Sequence, residues 1–192
     1  MKKALITGAH GFVGAALCHA LASEGIEVIA VLRDERADKK DLIGLHGVSV
    51  VYCDLARIKQ LESLIQDRDI DVMYHLAWNG TSGALRGDYA VQISNITHTC
   101  EAVEVCKALG CNKFVFASSI MEYEIASLME KTMAPGINTL YSSAKLSADY
   151  FARTLANSLG VEYVRAMISN IYGPGESSPS HMSISVTRPL WK

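Results

Sequence analysis

Lys3-Ala-Leu-Ile-Thr7-Gly8-Ala-His-Gly11-Phe-Val-Gly14-Ala-Ala-Leu-Cys18 is the stretch on which the fold turns. A short apolar run passes straight into three glycines and then into residues of helical character, so the local order is strand, turn, helix. Glycine suits such a turn for three reasons: the chain must bend tightly, its backbone must come close to a pyrophosphate, and the helix must pack on its strand with no Cβ between them. The helix N-terminus then offers free N–H groups and the positive end of its dipole to an anion. Gly8, Gly11 and Gly14, with Phe12 and Val13 between them, are therefore candidates for seating a dinucleotide. The spacing is G-x-x-G-x-x-G, not the G-x-G-x-x-G of many dehydrogenases, and alone it also fits an ordinary βα turn.

Outward from this turn, β-branched apolar runs alternate with longer segments of helical period, the pattern of a parallel sheet with crossover helices. Strands are predicted at Lys3 to Thr7, Glu27 to Leu32, Val48 to Cys53, Asp71 to Leu76, Lys113 to Ser118 and Glu162 to Ile168. Helices are predicted at Gly11 to Ser23, Ile58 to Asp67, Tyr89 to Leu109 and Tyr141 to Leu159. Runs such as Val28 to Leu32 are apolar without strict alternation, as in strands covered on both faces. In the last helix Ala144, Ala148, Phe151, Ala152 and Leu155 recur at spacings of three and four and predict its buried face. The fold class is α/β, a doubly wound parallel sheet of the Rossmann type, over residues 1–175. Residues 176–192 are Ser-rich and too short for a second core; they are expected to be a linker or the start of a truncated domain.

The chain has 192 residues, 49% of them hydrophobic, which suffices for one well-buried domain. A formal charge of -2 with no Lys/Arg-rich run excludes the usual footprint for nucleic acid or an anionic membrane, and small molecules are the expected partners. The five cysteines show no metal-ligand or disulfide spacing and are expected to be reduced; no metal site is expected. The apolar stretch at the N-terminus is broken at Thr7 to Gly11, and no 18-residue apolar run follows, so a cytoplasmic location is expected.

The second predicted strand ends Leu32-Arg33-Asp34, about 20 residues after the glycine loop, where a dinucleotide's adenosine ribose is read. A guanidinium suits a 2′-phosphate, so Arg33 makes NADP the first choice, while Asp34 keeps NAD in play.

Tyr141-Ser-Ser-Ala-Lys145 sets a phenol and an ammonium one helical turn apart on one face. A tyrosine ordinarily ionises near pH 10, and a neighbouring cation brings it toward the working range, so that the pair can exchange a proton with a hydroxyl or carbonyl. Ser118 and Ser119 end the Phe114-Val-Phe-Ala117 strand at the carboxyl edge, where open parallel sheets bind ligands, and can hydrogen-bond a reacting oxygen.

In this order along the chain, these stretches resemble the extended short-chain dehydrogenase/reductases, the nucleotide-sugar epimerases, dehydratases and reductases. Cys53-Asp-Leu55, His75-Leu-Ala77 and Ser169-Asn-Ile-Tyr-Gly-Pro-Gly175 add to the match. The resemblance implies Ser119, Tyr141 and Lys145 as catalytic residues, Asp54 and Leu55 near the adenine, and Leu76, Ala77 and Trp78 beside the dinucleotide. It also implies Asn170 near the substrate's diphosphate, and a nucleotide sugar as substrate. Asn95 matches a recurrent asparagine for which a capping or buried hydrogen-bonding role is expected; His10 and His75 are expected to be structural. Dehydratases of this family carry Asp-Glu after the catalytic hydroxyl residue, whereas Ile120-Met121 follow Ser119 here, which disfavours water elimination. A carboxyl-terminal substrate domain is expected to be truncated or missing. The resemblance further implies a homodimer through the helices of Tyr89 and Tyr141, with Cys100, Val103 and Ala148 either contributing or facing the sheet. An oxidoreductase or epimerase is thus the expectation. The alternatives are a dinucleotide-binding sensor or a cofactor-binding remnant without turnover.

Overall fold

The computed structural model describes residues 1–36, 42–130 and 134–172. Gly173 to Gly175 and the expected tail, 176–192, lie outside the described residues. Six parallel strands form one sheet: β1 (Lys3–Thr7), β2 (Glu27–Leu32), β3 (Val48–Tyr52), β4 (Val72–His75), β5 (Lys113–Ser119) and β6 (Glu162–Ile168), in the order β3-β2-β1-β4-β5-β6. The order reverses direction between β1 and β4, and it is there that an open α/β sheet leaves a crevice beyond its strand ends.

Both faces of the central strands are buried. Ala4 and Ile6 of β1 join Val28, Ala30 and Leu32 on one side, covered by α1 (Phe12–Ser23) through Cys18 and Leu21. Leu5, Met73, Phe114 and Phe116 face the other side. They are covered by α3 (Tyr89–Ala108) and α5 (Thr139–Leu159), with the short α2 (Leu61–Leu64) at one edge. This two-sided burial is why the strands read as unbroken apolar runs.

Three departures from the sequence reading have local causes. The helix expected over Ile58 to Asp67 is a 3₁₀ stretch, Leu55–Gln60, running into α2; Asp54 starts it early by accepting a hydrogen bond from Ala56 N at 2.8 Å. An unforeseen acidic helix, α4 (Glu122–Glu130), follows β5. Phe151, expected on the buried face of α5, is 62% exposed. The buried arc of that helix instead takes in Tyr141, Ser142, Lys145 and Asp149 beside Ala144, Ala148, Ala152 and Ala156. Polar side chains with partners elsewhere in the fold, Ser142 with Glu124, Lys145 with Ala117 O and Asp149 with Tyr163, share the buried arc in place of Phe151.

Candidate active site

The carboxyl ends of β1, β4 and β5 open onto a cleft of about 510 Å³, a size usual for small-molecule sites. The turn after β1 forms one end of it. Gly8 has φ 69°, and a Cβ there would lie 2.8 Å from Ala77 N; a Cβ on Gly14 would meet Gly8 O at 2.2 Å. Gly11 N donates to Gly8 O at 3.0 Å, and Gly11 precedes α1 with no side-chain cap. The N–H groups of Phe12, Val13 and Gly14 thus lack an intrahelical acceptor, and together with the helix dipole they suit a pyrophosphate.

At the far end of β2, Arg33 Nη2 donates to Asn79 Oδ1 at 2.7 Å, and Arg33 Nε lies 3.9 Å from Asp54 Oδ2. Arg33 and Leu55 line the cleft, whereas the Asp54 carboxylate is turned to its capping bond. Leu76, Ala77 and Trp78 line its middle. They follow His75, which is buried against Phe114 and bonded through Nδ1 to Thr7 Oγ1 at 2.9 Å. Burial, then the Lys145 and His98 charges, draw the His75 pKa down to about 3, so it packs as a neutral ring. His10, expected to be structural, is exposed on the cleft wall.

Ser119, Tyr141 and Lys145 converge on the other end of the cleft. Tyr141 and Lys145 are 7% and 4% exposed. Lys145 Nζ donates to Ala117 O at 2.8 Å and lies 3.8 Å from the centre of the Trp78 ring. Desolvation lowers its pKa to about 7, partly opposed by the charge of Glu122. Burial raises the pKa of the Tyr141 phenol, while the Ser119 hydroxyl and the Arg86 side chain act to lower it. The Arg86 guanidinium carbon sits 3.8 Å from the centre of the Tyr141 ring. Trp78 meets the same ring edge-on, 6.1 Å between centroids.

Sequence reasoning missed Arg86 and Glu122. The signal for Arg86 was a lone basic residue in the polar, glycine-rich stretch after β4. Glu122 is buried and accepts hydrogen bonds from Ser118 Oγ at 2.7 Å and Ser119 N at 3.0 Å, while pairing with Arg165. It thereby fixes the strand end that carries Ser119. Asn95, 1% exposed, accepts from Asn79 N at 3.0 Å and donates to Asn79 O at 2.8 Å; Asp88 is the cap of α3. Asn170 is exposed just beyond β6, between the cleft residues Ser169 and Ile171. Val103 and Ala148 are fully buried inside the protein and so face the sheet, not a partner subunit. Among the described residues, no group of three His, Cys, Asp or Glu side chains could hold a metal, and no helix is long and apolar enough to cross a membrane.

A six-stranded parallel sheet in this order, with a glycine turn after its first strand, defines a Rossmann-type nucleotide-fold protein. Residues 4–190 match the model of the NAD dependent epimerase/dehydratase family, and the chain belongs to that family. The 2-alkyl-3-oxoalkanoate reductase of Shewanella oneidensis is 31% identical over 119 residues, 62% of this chain and 29% of that protein. The UDP-glucose 4-epimerase of Azospirillum brasilense is 24% identical over 196 residues, 99% of this chain and 55% of that protein. The chain thus spans about half the length of that epimerase, and less of the reductase. Among solved structures, an epimerase of Methanothermobacter thermautotrophicus superposes with a TM-score of 0.75 at 23% identity, covering 91% of this chain and 53% of the other. The Bordetella bronchiseptica enzyme WbmH, in complex with NAD+, gives 0.72 at 20%, covering 93% and 60%. At these identities the structural likeness establishes the fold.

Proposed function

We propose that this chain carries the cofactor-binding and proton-transfer part of an NAD(P)-dependent oxidoreductase or epimerase acting on a nucleotide-activated sugar. The observation that carries this reading is the convergence of Ser119, Tyr141 and Lys145 on a cleft that ends at the Gly8–Gly14 turn. The UDP-sugar epimerases among the relatives support the substrate class. A bound nicotinamide dinucleotide supplies hydride exchange with the sugar carbon. Its pyrophosphate suits the free N–H groups of α1, and Leu76, Ala77 and Trp78 suit its middle.

The chain's own residues manage the proton. Tyr141 Oη takes the proton of the reacting hydroxyl, or returns one to a carbonyl, while the Ser119 hydroxyl holds that oxygen in place. Trp78 and the closed packing around Lys145 keep water from the phenol. Asn170, at the rim, is placed to meet the sugar nucleotide. Retention of both Tyr141 and Lys145 speaks against a sensor without turnover.

Dinucleotide binding to the purified protein, followed by conversion of a panel of UDP-sugars, tests the proposal. Tyr141→Phe is expected to lower turnover about 10²- to 10⁴-fold with dinucleotide affinity nearly unchanged. Absence of dinucleotide binding, or turnover indifferent to Tyr141→Phe, would overturn it.

A further inference from the structure

We propose that Arg86 is a positioning residue for Tyr141, its guanidinium stacked on the phenol ring so as to hold the ring in the cleft and favour the phenolate. This rests on the proton-transfer role assigned to Tyr141 above, and it shifts to Arg86 part of the electrostatic task that sequence spacing gives to Lys145.

The contact is built, not incidental. Arg86 lies in a short 3₁₀ turn, Ala84–Gly87, and its Nη1 donates to Thr81 O at 2.7 Å, closing the loop on itself. Gln92 of α3, 1% exposed, clamps that loop: its Nε2 donates to Gly80 O and to Leu85 O, each at 3.0 Å. The same amide accepts from Trp78 Nε1 at 3.0 Å. One buried side chain therefore sets both groups that flank Tyr141, the indole at its edge and the guanidinium over its face.

The two cations near the phenol also differ in kind. The Lys145 ammonium is directed at Ala117 O and the Trp78 ring, and burial makes it a weak base that loses its proton near neutrality. A guanidinium keeps its charge at every pH the fold survives. A cation over the ring face attracts the electron-rich π system, and attracts the phenolate more strongly than the phenol, so it lowers the energy of the ionised form. The chain thus keeps a positive charge on Tyr141 at alkaline pH, where Lys145 has become neutral.

The test compares wild type, Arg86→Gln and Arg86→Lys. Tyrosines labelled at the ring carbon bearing oxygen are followed by NMR through a pH titration of the dinucleotide-free protein, with Tyr141→Phe assigning the signal. The pH profile of turnover is recorded in parallel. In Arg86→Gln the Tyr141 midpoint and the acid limb of the turnover profile should both move up by about one to two pH units, with partial return in Arg86→Lys. A signal that no longer titrates within the folded range in Arg86→Gln counts as that rise when it titrates there in wild type. If neither the NMR midpoint nor the acid limb moves by more than about 0.3 unit, or if lysine restores nothing, the proposal fails. Turnover that ignores Tyr141→Phe would sink the proton-transfer reading instead, and the NMR comparison would still decide the Arg86 contact.

Discussion

Lys145→Met removes an ammonium that the fold buries against Ala117 O and the Trp78 ring. The folded lysine releases its proton near pH 7, whereas the unfolded chain holds it up to the usual value of 10.5. Between those limits the unfolded state binds more protons, so stability rises with pH there, is lost as pH falls across the same window, and is level below about 7. From about pH 6 to about pH 9 the difference integrates to nearly two proton-units, or roughly 2 to 3 kcal/mol at about 1.4 kcal/mol each. Methionine fills similar space without the charge, and the variant should lack this slope and be the more stable protein at the acid end. Urea unfolding of both proteins at both pH values measures it, because other titrating groups cancel in the double difference. Equal gains in the two proteins would refute the weakly basic, desolvated lysine.

Gly14→Ala forces a methyl group to within 2.2 Å of Gly8 O and 2.8 Å of Ala9 Cα. Both neighbours are backbone, so calorimetry should show a loss of about 1 to 3 kcal/mol or more, and titration a weakened dinucleotide affinity. Arg33→Ser should weaken NADP binding about tenfold or more and leave NAD nearly untouched, as fluorescence titration would report; equal effects on both would remove Arg33 from 2′-phosphate recognition. Tyr89, Ile93, Tyr150 and Phe151 present an exposed apolar face on α3 and α5, 55 to 68% exposed, which fits the homodimer the family resemblance implies. Phe151→Asp is expected to convert a dimer to a monomer in size-exclusion chromatography with light scattering; an unchanged mass would exclude that face.

The sheet was legible because its central strands are buried on both faces. Lys3–Thr7 and Glu27–Leu32 fall on the residues that apolar runs predict, and the edge strand Glu162–Ile168, though partly exposed and interrupted by Arg165, also falls where it was expected. The glycine turn was legible for a related reason, since Gly8 and Gly14 are required by contacts within the same few residues and their neighbour strand. The misreadings cluster where side chains find partners far away in sequence. Phe151 was assigned to the core by its spacing, yet Lys145 and Asp149 take the buried arc, Lys145 through Ala117 O and Asp149 through Tyr163 and Arg165. No periodicity reveals an ammonium accommodated by a carbonyl 28 positions back. Arg86 escaped notice for the same reason: the ring it stacks on belongs to Tyr141, far downstream and brought near by α5.

The pairings of Lys145 and Arg86 lie at the carboxyl edge of the sheet, and that placement has a physical logic. β1, β4 and β5 end in Thr7, His75 and Ser119, all polar and at least partly buried, in a layer that would be apolar if stability alone shaped it. Each is matched: Thr7 to His75, and the Ser119 amide to Glu122, itself paired with Arg165. A buried carboxylate left without its arginine would destabilise the fold by several kcal/mol, so this layer survives only as a complete network. Completeness makes it stiff, and stiffness is what a proton donor needs in order to meet a reacting oxygen at hydrogen-bond distance. The opposite, amino-terminal edge carries an ordinary exposed ion pair, Lys113 with Glu162, and a Lys3 cluster whose carboxylates, Asp67 and Asp69, stay in solvent. The asymmetry between the two edges sets the buried, paired charges on the side of the sheet where the proposed proton transfer needs a rigid frame.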